Sequence, residues 1–278
     1  MIEIERWPEL RDPMLVVSVA GWVDAGFAGA GAVAVLIDQM AAASTFGHIP
    51  LDDLADLQQA RPAVHLVDGV TREIDWPSLD LVAGTAGRDV VVLHGPEPAL
   101  RWRSLVDEIV ELMRRLGVQR AFTLSGMPAA ASHRRATRVL GSATVRSLAQ
   151  EIGPLRDDYA GPTGLQTVLA QALGEMSIPT VGLWAAVPHY VAANPSPPAI
   201  RGLLSRLREL APGLEVDLTA LDERTDEYIS QVDAGLEDRP DVAEMVRTFE
   251  DDRADEEIPD AEELVSEIER FLRSGPDQ

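Results

Sequence analysis

The chain has 278 residues and a formal net charge of −22 at pH 7, a length that suits one large domain or two domains of about 100–200 residues each. It contains no cysteine, and all 24 of its basic residues are arginines, which excludes disulfide bonds, thiolate nucleophiles, thiolate metal sites and lysine Schiff bases. No charged and then apolar leader opens the chain, and no apolar run reaches the roughly 18 residues of a membrane span. We therefore expect a soluble cytoplasmic protein with no membrane partner.

The negative charge is concentrated in the last quarter of the chain. Residues 1–214 carry 23 acids and 18 arginines, a net charge of −5, whereas residues 215–278 carry 23 acids and 6 arginines, a net charge of −17. Such a surface repels phosphate backbones, so nucleic acid is an unfavourable partner. The change in charge near Pro212 and Gly213 predicts a body over residues 1–214 and an acidic helical subdomain over residues 215–278, packed on the body or on a partner.

The segment 14–40 predicts a strand, a glycine-rich turn and a helix. The apolar run at 15–20 is typical of a buried strand, and the alanine-rich run that starts at Phe27 predicts a helix ending around Ala43. Gly26 lies at the junction, where a branched side chain would crowd the chain, so Gly26→Val is expected to destabilise the fold. The turn lacks the lysine of a phosphate-binding loop, and Ala34 occupies the third glycine position of a dinucleotide fingerprint. We predict no cofactor.

Strand and helix patterns then alternate along the body, and helix patterns alone follow it. We predict a short edge strand at 2–6, a strand at 46–51 and a hairpin of 63–67 with 71–74 around Asp68-Gly69. The further predicted strands are 89–93, 118–124, 137–140 and 179–187; the helices are 105–116, 143–152, 165–176 and 200–210; the acidic helices are 218–234, 240–252 and 260–272. This order predicts a three-layer α/β/α fold with a mostly parallel sheet.

Polar side chains follow several of the predicted strands. In a parallel sheet the carboxyl ends of the strands lie at one edge, where ligands bind. The grouping contains acid, base and nucleophile types and permits a small-molecule-binding or hydrolase-type crevice. The residues are Asp24, His94, Glu97, Ser125, His189 and Tyr190.

The alternative interpretation is that these residues are ordinary loop residues, which every α/β protein has at its strand ends. Thr123 stands where a nucleophile elbow around Ser125 would have a glycine. No two histidines have a metal-ligand spacing, so we predict no metal site.

Five short motifs recur in a fixed order along the chain. They are Gly21-Trp22-Val23-Asp24-Ala25-Gly26, Gly95-Pro96-Glu97-Pro98 with Trp102, Ser125-Gly126-Met127-Pro128 with His133-Arg134, Gly161-Pro162-Thr163-Gly164, and Val187-Pro188-His189-Tyr190. Together they resemble the proteasome assembly chaperone 2 family, in its actinobacterial branch, over roughly residues 10–250. The resemblance implies a three-layer body with a helical appendage, self-assembly and, for eukaryotic and archaeal members, chaperoning of proteasome subunits. It implies no catalytic residues. An ATP-grasp activity, attached to some bacterial members, conflicts with the absence of lysine.

From these observations we expect a non-enzymatic, self-assembling chaperone or scaffold, with the crevice enzyme or binding protein as the alternative. A homo-oligomer, most simply a trimer, would also bury the apolar stripes of the acidic helices. Archaeal members that dock on the proteasome end in a hydrophobic–tyrosine–any-residue tail. This chain ends Ser274-Gly275-Pro276-Asp277-Gln278, so we expect that route of docking to be absent.

Overall fold

The computed structural model describes residues 2–21, 24–152 and 159–251, which form an eight-stranded sheet with helices on both faces and a separate two-stranded hairpin. The strands are β1 (Glu3–Ile4), β2 (Met14–Ala20), β3 (Ala41–Pro50), β4 (Ala63–Val67), β5 (Val70–Asp75), β6 (Ser78–Thr85), β7 (Asp89–Pro96), β8 (Arg120–Ala129), β9 (Val139–Ala143) and β10 (Thr180–Pro188). The helices are α1 (Ala28–Gln39), α2 (Trp102–Arg115), α3 (Arg146–Ile152), α4 (Leu165–Glu175), α5 (Pro197–Leu210), α6 (Thr219–Leu236) and α7 (Pro240–Asp251).

The strand order in the large sheet is β1-β3-β6-β7-β2-β8-β10-β9. The four central strands, β7, β2, β8 and β10, are parallel to one another, and the strands outside them pair antiparallel. The predicted three-layer α/β fold is confirmed, and its parallel part is this four-stranded centre.

Two hydrophobic layers cover the two faces of the sheet. Along β2, Met14 and Val16 pack on the face that carries α1 and α5, while Leu15 and Val17 pack on the face that carries α2 and α4. Successive side chains of a strand point to opposite faces. Because both faces are covered, β2 is apolar without interruption, which is the pattern that made it recognisable in the sequence.

The elements that differ from prediction lie mainly before β7. The first helix ends at Gln39 rather than around Ala43, and the next residues begin β3. Residues 41–43 are alanines, so their intrinsic preference is helical, but pairing with β6 outweighs it, through a bulge in which Ala42 has φ of 53°. Strand β6 was not predicted. The helix expected at 260–272 lies outside the described residues.

The hairpin of β4 and β5 is confirmed. Its turn residues Asp68 and Gly69 both have positive φ, 53° and 75°, as a tight two-residue hairpin loop requires.

The acidic helices α6 and α7 contact the body of their own chain. Helix α6 packs against α5, and its residues Leu221 and Tyr228 are buried, as is Val246 of α7. The apolar stripes of the two helices are therefore only partly covered within one chain, since Ile229, Val232, Val242, Met245 and Phe249 are half-buried. No helix among the described residues is long and apolar enough to cross a membrane.

Candidate functional site

The four parallel strands end at one edge of the sheet, which we call the carboxyl edge. Glu97 directly follows β7, Asp24 lies in the turn after β2, and His189 directly follows β10. Ser125 was expected after its strand but lies within it, because β8 continues to Ala129 and pairs with β10 over its whole C-terminal half. His94 lies within β7 opposite Asp80, and burial lowers its pKa. All the candidates are thus near one edge, but their contacts differ.

Asp24 joins three elements through its carboxylate. Its Oδ1 accepts hydrogen bonds from the backbone N–H of Gly29 at 2.7 Å and of Gly126 at 3.1 Å, and its Oδ2 accepts one from Ala30 at 3.1 Å. Gly29 and Ala30 belong to the first turn of α1, whose backbone N–H groups have no partner within the helix. Burial raises the pKa of Asp24, although these three hydrogen bonds act in the opposite direction. Asp24 therefore caps α1 and ties it to β8.

Glu97 has a similar role on the other face of the sheet. Its Oε1 accepts a hydrogen bond of 2.7 Å from the backbone N–H of Leu165, the first residue of α4. A carboxylate at this position also interacts favourably with the positive end of the helix. Two glycines of the same chain lie against the Glu97 carboxylate, where a larger residue would not fit. A Cβ at Gly21 would lie 2.5 Å from Oε2, and a Cβ at Gly164 would lie 2.9 Å from Oε1.

Ser125 is buried and paired with an amide. The Nε2 of Gln166, the second residue of α4, donates a hydrogen bond of 2.6 Å to its Oγ, and only 4% of Ser125 is exposed. A serine nucleophile needs an adjacent base to take its proton. The residue that contacts Ser125 here is a neutral amide donor, so the hydroxyl is not activated.

His189 belongs to an aromatic and polar cluster at the end of β10. Its Nδ1 lies 3.3 Å from the carbonyl oxygen of Ala129, and its ring makes edge-to-face contacts with Tyr190 and with Phe249 of α7. The Tyr190 hydroxyl accepts a hydrogen bond of 3.0 Å from the backbone N–H of His133 and lies 2.7 Å from that residue's Nδ1.

A hydroxyl–imidazole–carboxylate line extends from this cluster. The Nε2 of His133 lies 2.9 Å from Oδ1 of Asp233 in α6, and the His133 side chain is fully buried. The order Tyr190, His133, Asp233 is superficially like a catalytic triad. Burial, however, raises the pKa of Tyr190 to about 12, the opposite of what an activated nucleophile needs. The line is better explained as a contact between α6 and the body.

Further polar contacts attach α7 to the same loop. Arg134 contacts Asp233 through Nε at 2.8 Å and Glu250 through Nη1 at 3.3 Å. The Ser132 hydroxyl donates to Glu250 Oε1 at 2.8 Å, and Arg135 donates to the carbonyl oxygen of Glu250. In the sequence, His133 and Arg134 were noted as part of a family motif, without a partner for either side chain. Their acidic partners lie about a hundred positions away, where no local pattern could identify them.

Among the described residues, Asp24, Glu97 and Ser125 form hydrogen bonds to the helices beside the sheet and not to one another. Within the described ranges, no group of three side chains could hold a metal ion. A cleft of about 630 Å³ lies between α6 and the loop before α5 and is lined by Asn194, Arg224, Tyr228 and Arg239 among others. Of the candidate residues, Tyr190 lines that cleft, whereas Asp24, His94, Glu97, Ser125 and His189 do not.

Comparison with known proteins gives consistent matches. A family model described as the PAC2 family matches residues 18–234. The crystal structure of a proteasome-assembly chaperone homologue from Mycobacterium tuberculosis is 34% identical, with a TM-score of 0.78, over 84% of this chain and 99% of that one. A PAC2 family protein from Streptomyces avermitilis is 36% identical, with a TM-score of 0.76, over 84% of this chain and 100% of that one.

A third similar structure extends over nearly the whole chain. It is a Mycobacterium tuberculosis protein of unknown function, 28% identical with a TM-score of 0.84, covering 98% of this chain and 95% of its own. No curated protein sequence matches.

Proposed function

The chain belongs to the PAC2 family, and on that premise we propose that it is a non-enzymatic, self-assembling chaperone-like or scaffold protein of the cytoplasm. We propose a homo-oligomer, with a trimer as the simplest form. The proposed protein partner is a proteasome subunit or assembly intermediate, by analogy with the relative described as a proteasome-assembly chaperone homologue.

The observation that carries the proposal is that the two carboxylates at the strand ends bind the protein's own backbone. Asp24 and Glu97 bind backbone N–H groups at the first turns of α1 and α4, so both act as parts of the scaffold. Ser125 accepts a hydrogen bond from the amide of Gln166. A general acid–base or nucleophilic mechanism requires such groups to contact a substrate. These contacts support a scaffold over the alternative of a hydrolase-type or small-molecule-binding crevice.

The self-assembly claim is tested by the molar mass of the full chain. We expect light scattering after size exclusion to give a multiple of the 30.1 kDa chain mass at micromolar concentration in about 0.15 M salt, where surface charges are well screened. A monomer under those conditions would contradict self-assembly.

The chaperone claim is tested by reconstitution. Purified proteasome α- and β-subunits from the same organism are mixed with and without the chain, and particle formation is followed on native gels. We expect faster or more complete assembly when the chain is present. If the chain neither binds the subunits nor changes the time course, the proteasome-related part of the proposal is wrong.

A further inference from the structure

Large exposed apolar side chains are concentrated at the carboxyl edge. Among the described residues eleven large hydrophobic side chains are exposed. Trp7 and Met176 lie at the opposite edge, near the start of β7 and the end of α4. The other nine lie on segments that leave or enter the sheet at the carboxyl edge, and we call them the apolar rim. They are Phe27, Val64, Leu66, Val67, Val70, Ile74, Trp76, Leu100 and Tyr159.

The hairpin provides most of the rim. It connects β3 to β6, which end and begin at the carboxyl edge because β3 runs in the same direction as β7. All eleven residues of β4 and β5 are exposed, and among the described strands the two pair only with each other. Val64 faces Ile74 across the hairpin, and Val67 faces Val70. Val64 and Val67 are three positions apart on β4 and so point to opposite faces, while a register shift beside His65 and Leu66 interrupts the alternation on β5. Each face of β4 therefore carries an exposed apolar side chain.

Such a hairpin gains stability when another surface covers it. A two-stranded hairpin is at best marginally stable in water without a third strand or a packed layer. Exposed contiguous apolar patches of several hundred Å² mark interaction sites. About half of each of the nine rim side chains is exposed, which corresponds to on the order of 800 Å², the area that one partner contributes to a standard interface.

We propose that the apolar rim is the surface through which copies of this chain bind one another, with the β4–β5 hairpin as its central element. A structure that is only marginally stable alone needs a partner that is always present, and a second copy is always present at the concentration of the chain itself. The acidic helices α6 and α7 offer less free apolar surface than the rim, because Leu221, Tyr228 and Val246 are buried within one chain and none of the exposed large hydrophobic side chains lies on these two helices. The inference rests on the proposed self-assembly and specifies the surface that carries it.

The test compares matched substitutions at the two edges. Leu66→Gln and Leu100→Gln remove rim side chains that are 59% and 55% exposed, whereas Met176→Gln removes one that is 52% exposed at the opposite edge. Because these side chains are exposed, the folded monomer should be preserved, which far-UV circular dichroism checks. We expect each rim substitution to raise the dissociation constant about tenfold, from the loss of half a buried leucine. Met176→Gln should leave it unchanged.

A second measurement reports whether the rim is buried in the assembled protein. Its substitution replaces valine by cysteine, so no large side chain is lost from the proposed contact. The chain has no cysteine, so Val70→Cys and Met176→Cys each introduce a single thiol for maleimide labelling. The thiol at position 70 should react slowly in the assembled protein and rapidly after dilution below the dissociation constant. The thiol at position 176 should react at the same rate in both.

The outcomes separate this inference from the proposed function. A wild-type monomer would overturn both. A wild-type oligomer that is unaffected by both rim substitutions would overturn the inference and leave self-assembly standing. Slow labelling of position 70 in a confirmed monomer would show that another part of the same chain covers the rim, which also overturns the inference.

Discussion

Asp24 shows how a single buried carboxylate can organise the start of this fold. It follows the central strand β2, and its three hydrogen bonds connect the first turn of α1 with the backbone of β8. Each of these donors would otherwise lack a partner in a site where burial already raises the pKa of the carboxyl. Asp24, one of the candidate site residues in the sequence, thus has a structural role in its contacts.

We predict that Asp24→Ala destabilises the protein by about 2–3 kcal/mol, because it removes a helix cap and leaves buried N–H groups unpaired. Asp38→Ala is the control, since Asp38 is an exposed acid in the last turn of the same helix, where an acid is slightly unfavourable. Urea unfolding of both variants measures the difference. Equal stabilities of Asp24→Ala and wild type would refute the capping role.

Gly26 is a position at which the backbone itself demands glycine. Its φ is 65°, and a Cβ there would lie 2.8 Å from the Cβ of Ser196 and 3.1 Å from the side chain of Val187. We predict that Gly26→Val lowers the thermal midpoint and the free energy of unfolding by about 2 kcal/mol or more, through positive φ and overpacking.

The matched glycine is Gly235, in the last turn of α6, where an added Cβ meets nothing within 4 Å. Gly235→Ala should stabilise the protein by about 0.5–1 kcal/mol, because alanine is the better helix former. Opposite signs at the two glycines are expected. Destabilisation of similar size at both would contradict the local explanation.

At the scale of elements, helix α7 is held to the body mainly by polar contacts. Phe249 packs on His189 and Val246 is buried, while Glu250 receives hydrogen bonds from Ser132 and Arg134. The Arg134 side chain is 44% exposed, and its partners Asp233 and Glu250 are 38% and 29% exposed. Solvent therefore screens these ion pairs substantially.

We predict that Arg134→Gln speeds hydrogen exchange of the α7 amides by about two- to fivefold, which corresponds to about 0.5–1 kcal/mol for partly exposed pairs. Arg239→Gln is the control, since Arg239 is 62% exposed and contacts only Asp241 at 3.6 Å among the pairs described for it. The amides of β2 should be unaffected in both variants. An unchanged exchange rate in α7 would show that apolar contacts alone hold the helix.

The contacts of Asp233 with Arg134 and His133 contribute a stability that depends on pH. Burial would raise the pKa of Asp233, but hydrogen bonds from Arg134 and His133 outweigh it and hold the pKa below its usual value. A depressed folded-state pKa gives stability that is present above the unfolded pKa of about 3.9 and is lost as pH falls through the folded pKa. The stability difference between wild type and Asp233→Asn should thus be largest near neutral pH and shrink below about pH 4. A difference that grows on acidification would contradict this sign.

The sequence predicts most elements because each depends on a local pattern. Strand β2 and the hairpin turn at Asp68-Gly69 are set by apolar runs and by turn residues that tolerate positive φ. Strand β3 was misjudged at its start because pairing with β6 overrides the helix preference of three alanines. The partners of Asp24 and Glu97 lie as far away as Gly126 and Leu165. The capping role of Asp24 and Glu97 therefore depends on tertiary structure. Their location at one edge of the sheet, in contrast, could be predicted from the parallel strands.

At the scale of the whole molecule, the charge of −22 opposes the self-association proposed above. Each copy carries most of this charge in the segment after residue 214, so copies that approach one another repel at low salt. Association must therefore gain more from burying apolar surface than it loses to repulsion. The balance between the two depends on ionic strength, since salt weakens the repulsion and leaves the burial of apolar area largely unchanged.

We predict that the assembly tightens as salt rises. The screening length falls from about 30 Å at 0.01 M salt to about 8 Å at 0.15 M, so the repulsion between acidic copies is weakened over most of the distance that separates them. An assembly held together by ion pairs would respond in the opposite way, because its attractive contacts are the ones screened. Light scattering after size exclusion at the two salt concentrations, over the same range of protein concentration, measures the shift. Dissociation on adding salt would refute the apolar contact while leaving assembly itself in place.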